Sequence, residues 1–332
     1  MSAAIRVEGL VKVFKKGGAR AVDGISLEVE KGSIFGFLGP NGAGKTTTIN
    51  ILCTLLKPTE GRAFVAGHDC MKEPSSVRKS IGLVFQDTTL DKDLTAYENL
   101  VFHAYLYSVR KSEIRTRVED ALGFVGLYER RDEMVRNYSG GMKRRLEVAR
   151  GLIHRPEVLF LDEPTLGLDP QSRANLWEFI TRLPEKHGVT VFMTTHYMDE
   201  AEVCDRIAII DAGSIIAEGS PSELKKTVGG DVIHLRTTDN DLAVWKLKET
   251  LSLEAMDKDG SLYITTRGGD KLIPEIIRTL EDIVVTVSLE RPSINDVFLK
   301  LTGKDIREAA ASRRDDIPSG LRSARRRKEG RG

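Results

Sequence analysis

A short apolar run, Ser33-Ile34-Phe35-Gly36-Phe37-Leu38, leads into Gly39-Pro40-Asn41-Gly42-Ala43-Gly44-Lys45-Thr46, and a helical pattern continues through Leu52. The spacing G-x-x-x-x-G-K-[ST] constrains the fold more than any other feature. It calls for a buried strand that ends on a glycine turn, followed by a helix whose N-terminus faces that turn. Glycines let successive backbone N–H groups turn inward toward phosphate oxygens, and the helix adds its positive end. In such a turn Lys45 reaches the β- and γ-phosphates of a nucleotide, and the Thr46 hydroxyl binds Mg2+. Gly39, Pro40, Asn41, Gly42, Ala43, Gly44, Lys45, Thr46 and Thr47 are therefore candidate nucleotide contacts.

Further strands are expected over residues 5–14, 25–29, 81–86, 158–162, 189–194 and 207–210, with helical patterns between them. Strands alternating with helices imply an α/β fold with a largely parallel sheet. Residues 92–153 carry helical periodicity and no convincing strand, which places a helical subdomain over about 90–153. Asp162 closes the apolar run Val158-Leu159-Phe160-Leu161, where a second Mg2+ contact is needed, and Glu163 follows it. A carboxylate at that point can polarise a water for in-line attack on the γ-phosphorus. Gln86 is expected to end a short buried strand, where its amide reaches Mg2+ or the attacking water. His196 ends the strand Val189–Thr195 and can hydrogen-bond the γ-phosphate. No guanine-reading N-K-x-D segment is present, which argues against a GTPase.

A second glycine run, Ser139-Gly140-Gly141, precedes another helical pattern and is also suited to phosphate. Beyond Gly229-Gly230 the pattern reads strand 232–237, helix 240–251, strands near 253–257 and 261–266, helix 270–281 and strand 283–289. This β-α-β-β-α-β order suggests a ferredoxin-like unit. Ser293 reads as the N-cap of a last helix, with Asp296 at the third helical position. The domains are thus expected at 1–228 and 229–303, with a charged, disordered tail at 304–332.

The 332 residues suit two domains, and 40% hydrophobic residues with 30% charged suit a globular protein. The net charge of +1 gives no general bias toward nucleic acid, although the end of the chain gathers Arg322, Arg325, Arg326, Arg327, Lys328 and Arg331. Cys53, Cys70 and Cys204 lack zinc-type spacing and read as free thiols of a reducing compartment. Neither a signal-peptide plan nor an apolar run of membrane-spanning length is found.

Taken in order, these motifs resemble the nucleotide-binding subunit of an ATP-binding cassette (ABC) transporter over about residues 3–225. The resemblance identifies Walker A at 39–46, a Q-loop at Gln86, a signature at 138–142, Walker B ending in Glu163, a D-loop at Leu168-Asp169 and a switch His196. It implies a P-loop cassette with N-terminal antiparallel strands, and a head-to-tail pairing with an identical or related ATPase subunit. Each ATP would then lie between Walker A of one subunit and Ser139-Gly140-Gly141 of the other, with Asp169 touching the opposite subunit. An aromatic residue near the N-terminus packs under adenine in this family, and Phe14 matches best; its rival role is core packing. The signature reads Tyr138-Ser139-Gly140-Gly141-Met142, so Met142 replaces the usual Gln and should weaken one polar contact.

Three segments, 139–146, 195–201 and 292–299, resemble the daunorubicin/doxorubicin-resistance type. That group implies an ABC-2-type permease as partner and the export of drugs, lipids or glycans from the cytoplasmic face of the membrane. A soluble ABC-type ATPase is the alternative, but such translation factors carry two cassettes, and the 46–138 interval has no room for the coiled coil of chromosome-maintenance ATPases.

Overall fold

The computed structural model of the chain describes residues 3–14, 18–258, 260–266 and 268–303. The basic tail expected at 304–332 lies outside these residues. By its contacts the chain divides into one unit ending at Ser220 and another beginning at Pro221, ahead of the Gly229-Gly230 pair.

The first unit opens with strands β1 (Ala3–Val13), β2 (Arg20–Glu30) and β3 (Ile34–Leu38), followed by helix α1 (Lys45–Leu52). Next come β4 (Glu60–Val65), β5 (His68–Asp69), α2 (Pro74–Ser80) and β6 (Ile81–Val84). Helices α3 (Ala96–Leu106), α4 (Lys111–Phe124) and α5 (Gly140–Leu152) then precede β7 (Val158–Asp162). The unit ends with α6 (Pro170–Thr181), α7 (Leu183–His187), β8 (Thr190–Thr195), β9 (Arg206–Asp211) and β10 (Ser214–Gly219).

Two sheets form from two sequence patterns. In β1 Ile5 and Val7 are buried while Arg6 and Glu8 are exposed, the alternation of a strand with one wet face. It belongs to an antiparallel sheet of order β2-β1-β4-β5. In contrast β3, β7 and β8 are buried along their whole length, as strands covered on both faces must be. They lie in a six-stranded sheet of order β10-β9-β3-β8-β7-β6, parallel except for β10. The expected parallel core with antiparallel N-terminal strands is therefore what the chain folds into. Phe192 anchors that core, with the rings of Phe35, Phe37 and Phe160 centred 5.5–5.6 Å from its own.

Register positions the site. Leu38 pairs with Thr195, Asp162 with Thr194 and Val84 with Leu161. The C-terminal ends of β3, β6, β7 and β8 thus share one edge, and the loops beginning at Gly39, Phe85, Glu163 and His196 all start there. Such an edge is where open α/β sheets bind ligands.

Residues 92–153 form helices joined by turns, with no strand and one isolated bridge, Thr95 to Met134. Thr95 caps α3 through a reciprocal box with Glu98. The helices pack on Leu100, Ile114, Val118, Leu122, Leu146 and Ala149. Strands β4, β5 and β10 had no counterpart among the sequence expectations, and β2 begins earlier than expected.

The second unit contains α8 (Pro221–Val228), β11 (Asp231–Thr237), α9 (Asn240–Leu251), β12 (Met256–Lys258) and β13 (Ser261–Thr266). Then follow α10 (Gly269–Leu280), β14 (Val284–Glu290) and α11 (Ile294–Thr302). The antiparallel order β12-β13-β11-β14 matches the ferredoxin-like expectation. Ile233, Leu235, Leu247, Leu262, Ile276 and Leu280 form its core. Ser293 caps α11: its Oγ accepts from Asp296 N–H at 3.3 Å, and its own N–H donates to Asp296 at 2.8 Å.

Candidate active site

The loop after β3 turns on Gly44, whose φ of +113° is a left-handed conformation that side chains avoid. A Cβ there would also lie 2.4 Å from the Ala21 carbonyl oxygen, so the turn admits only glycine. Lys45 starts α1 and folds back over the loop. Its ammonium donates to the carbonyls of Gly39 at 2.8 Å and Pro40 at 3.3 Å.

Lys45 Nζ also lies 3.2 Å from Glu163 Oε1, with the two side chains 4% and 10% exposed. His196 Nδ1 lies 3.3 Å from the other oxygen of Glu163, at ion-pair distance but without hydrogen-bond geometry. Burial pushes the Glu163 carboxyl up, but His196 and Lys45 outweigh it and hold the group below the usual glutamate value. Burial lowers the Lys45 ammonium, against the pull of Glu163 and Asp162. Glu163 is thus an ionised, dry carboxylate at the end of β7, the state a general base needs.

Its backbone is unusual. Glu163 has φ +46°, a conformation that costs a non-glycine residue about 1–3 kcal/mol and needs outside support. Thr194 gives part of it, accepting from the Glu163 N–H at its hydroxyl (3.0 Å) and its carbonyl (3.2 Å). The Thr194 hydroxyl in turn donates to Asp162 Oδ1 at 2.5 Å.

A cavity of about 560 Å³ opens over these groups, lined by Ala21, Asn41, Gly42, Gly44, Lys45, Thr46, Thr47, Gln86, Glu163, Leu166 and His196. Its residues come from five separate stretches of sequence; four of them meet because their strands share one edge, and Ala21 is added from β2. Gln86 requires a correction. It does not end a strand: β6 stops at Val84, and Gln86 is an exposed residue in the loop beyond. Beyond the ladder, the Phe85 carbonyl accepts from Arg144.

Thr46, which lines the cavity, has its Oγ1 3.4 Å from Asp162 Oδ1. One hydroxyl, one carboxylate and the nearby Gln86 amide are hard oxygen donors that fit Mg2+, which takes few protein ligands and completes its shell with phosphate and water. No cluster of three His, Cys, Asp or Glu residues suited to a transition metal occurs among the described residues.

Ser139, Gly140, Gly141, Asp169 and Phe14 do not line this cavity. Ser139 is the exposed N-cap of α5, its hydroxyl accepting from Met142 N–H at 3.2 Å, so a helix N-terminus is open to solvent apart from the cavity. Gly141 is set by packing, because a Cβ there would lie 2.5 Å from Ser172 Oγ. Met142 points into the helical core and its sulfur accepts from Arg130 at 3.2 Å. Asp169 is the exposed N-cap of α6 and accepts from Ser172 N–H at 2.9 Å; the Ser172 hydroxyl first, and then this backbone bond, hold its carboxyl below the usual aspartate value. Phe14 is not core: it is 40% exposed, with Lys12 Nζ 5.5 Å above its ring.

Two buried groups escaped the sequence reading. Glu200 accepts hydroxyl hydrogen bonds from Thr165, beyond β7, and from Thr195, beside His196, the latter at 2.6 Å. Arg144 and Glu147 form an ion pair at 2.9 Å on the face of α5 opposite its apolar contacts. An Arg and a Glu three apart on the side of the helix away from Met142, Leu146 and Ala149 was the available signal, masked by Lys143, Arg145 and Arg150 around it.

The family model described as "ABC transporter" matches residues 22–166, and one for the DrrA1-3-like ATP-binding protein C-terminal domain matches residues 219–302. The sequence is 43% identical over 310 residues to the daunorubicin/doxorubicin resistance ATP-binding protein DrrA of Streptomyces peucetius, covering 90% of this chain and 92% of that protein. It is 36% identical to the linearmycin resistance ATP-binding protein LnrL of Bacillus subtilis, covering 92% and 100%. It is 38% identical to the Nod factor export ATP-binding protein I of Cupriavidus metallidurans, covering 93% and 100%. Among solved structures, cbiO1 of Clostridium perfringens, part of an ABC transporter complex, superposes with a TM-score of 0.64 at 29% identity, covering 76% of this chain and 97% of that one. A dimeric ATP-binding cassette in a post-hydrolysis state with ADP and Pi superposes with a TM-score of 0.59 at 28% identity, covering 65% and 98%.

Proposed function

The chain belongs to the ABC transporter ATP-binding family, in its daunorubicin/doxorubicin-resistance branch, and from that membership we propose how its own residues carry out ATP hydrolysis and to what the hydrolysis is coupled. The protein is an ATP-binding and ATP-hydrolysing subunit.

The loop amides and Lys45 bind the β- and γ-phosphates. Glu163 accepts the proton of the attacking water, His196 holds the γ-phosphate, and Gln86 reaches the same water across the cavity mouth. Thr46, Asp162 and Gln86 would hold Mg2+, which neutralises charge on the transferring phosphoryl group. The observation that carries this reading is the buried Lys45–Glu163 pair with the partly buried His196 beside it, at the phosphate loop.

The site is completed by a second copy, or by a paired ATPase subunit, whose Ser139-Gly140-Gly141 covers the nucleotide. Two observations support this: the exposed N-terminus of α5 is separate from the cavity of its own chain, and a similar cassette is dimeric. Asp169, exposed beside that helix end, would touch the opposite subunit.

The membrane partner is a separate ABC-2-type permease, with this chain on its cytoplasmic face. No helix among the described residues can cross a membrane. Phe102, Tyr105 and Leu106 on α3 are 60%, 54% and 63% exposed and offer an apolar docking face. The cargo is a drug, lipid or glycan leaving the cell; relatives named for daunorubicin, doxorubicin and linearmycin resistance and for Nod factor export support the export reading. Co-expression with the membrane protein encoded beside this chain tests the pairing. A detergent-stable complex with ATPase activity is expected; a chain that hydrolyses ATP but never co-purifies with that protein would contradict it.

A further inference from the structure

We propose that Arg144 is a positioning residue: it ties the peptide that carries Gln86 to the peptide that carries Glu163, so that both move with the helix that begins at Ser139. The inference rests on the reading of Glu163 as the base.

Helix α5 has two faces. Met142, Leu146, Ala149 and Ile153 pack into the helical core. Arg144 and Glu147 lie on the other side and are 7% and 1% exposed. All three nitrogens of the Arg144 guanidinium donate to backbone. Nε donates to the Pro164 carbonyl at 2.6 Å, and Nη2 to those of Asp162 at 3.2 Å and Glu163 at 3.1 Å. Nη1 donates to the Phe85 carbonyl and to Glu147 Oε2, the latter at 2.9 Å. The second oxygen of Glu147 accepts from Thr89 N–H at 2.9 Å, gripping the same loop further along.

This is more than filling space. A buried ion pair stabilises little compared with well-packed apolar side chains of similar volume. Here its hydrogen bonds fall on two segments only, 85–89 and 162–164. The guanidinium is planar and rigid, so it fixes the spacing between the carbonyls it joins. One of them belongs to Glu163, whose left-handed backbone needs such support. A phosphate engaging Ser139 at the start of α5 therefore bears on the body that holds Glu163 and Gln86. Lysine, with a single compact ammonium, cannot span both segments.

The test uses the full chain, comparing Arg144→Lys and Glu147→Gln with the parent for ATP dissociation constant, kcat, KM and thermal unfolding. Glu147→Gln keeps an acceptor for Thr89 N–H and loses the anion facing Arg144. Arg144→Lys should lower kcat by roughly 10- to 100-fold, the effect of a catalytic group misplaced by about 1 Å. Its ATP dissociation constant should stay within about threefold, because the phosphate loop is untouched. Glu147→Gln should give the same split with a smaller loss, and it decides alone if Arg144→Lys does not fold. Wild-type kcat in the folded variants, or parallel losses in kcat and ATP affinity, would overturn the proposal. Glu163→Gln in the same assay separates the two readings. If it is inactive while Arg144→Lys is fully active, only the positioning role fails. If Glu163→Gln itself hydrolyses ATP normally, the reading of Glu163 as the base fails first.

Discussion

Lys45 Nζ and Glu163 Oε1 are 3.2 Å apart in a nearly dry pocket, so without nucleotide the phosphate-binding cation and the candidate base neutralise each other. An entering γ-phosphate competes for the same ammonium. Binding must break the pair, and breaking it leaves Glu163 free to face water. The ion pair thus keeps the base occupied until a phosphate arrives.

Removing the carboxylate should therefore tighten ATP binding. Glu163→Gln removes the anion paired with Lys45 and takes a negative charge from beside the γ-phosphate. The ATP dissociation constant should fall by roughly threefold to tenfold, the equivalent of about 1 kcal/mol. Lys45→Ala should weaken it by more than that. Equilibrium titration with ATP checks both, and equal affinities for parent and Glu163→Gln would mean that the pair does not oppose binding.

The nucleotide-free chain should also show the pair in its pH dependence. The Glu163 carboxyl titrates below its ordinary 4.5 when folded, so the folded chain binds fewer protons there than the unfolded chain does. The stability it contributes is complete above about pH 5.5 and is lost as pH falls through the lowered value. Glu163→Gln should unfold at a lower temperature than the parent near neutral pH, with a gap of about 1–3 kcal/mol for a buried donor left short of a partner. The gap should start to narrow as pH falls toward 4.5 and close only below the lowered folded value. Thermal melts across that range would show a constant gap if the pair adds nothing.

How much of this was legible in the sequence depended on whether the informative neighbours were local. The phosphate loop and the Asp162-Glu163 pair could be read because strand, turn and helix lie within a few residues of one another. The end of β6 at Val84 could not: beyond it the Phe85 carbonyl is bound by Arg144, a partner far along the chain. The role of Arg144 was hidden for the same reason, since its partners come from two distant loops. Strand β4, Glu-Gly-Arg-Ala-Phe-Val, exposes its first three residues and shows little apolar alternation, so only pairing with β1 makes it a strand. Met142 read as a lost polar contact, yet its side chain is committed to the helical core.

Gly141 is a packing residue as well as part of the phosphate-suited run. Gly141→Ala would drive a Cβ to 2.5 Å from Ser172 Oγ. The contact between the starts of α5 and α6 should loosen, at a cost of about 1–3 kcal/mol. Gly141→Ala combined with Ser172→Gly should recover much of that loss in a chemical denaturation series. An alanine tolerated at no cost would show that the two helices can slide apart freely.

The three thiols should be silent in the folded protein. Cys53, Cys70 and Cys204 are all buried, and burial pushes each thiol up, Cys70 to about 12. A thiol reagent at pH 8 should label none of them within minutes, and all of them after denaturation. Fast labelling of the native chain would show that the sheet or α1 opens readily.

The central claim is that the phosphate loop of one subunit and Ser139 of another close on the same ATP. Sedimentation of Glu163→Gln with Mg2+ and ATP tests it most directly, alongside Glu163→Gln combined with Ser139→Arg. Glu163→Gln alone should shift from monomer to dimer on adding ATP. The double variant should bind ATP with similar affinity and remain monomeric. A Glu163→Gln chain that binds ATP and stays monomeric, or a double variant that dimerises as well as Glu163→Gln alone, would contradict the shared site.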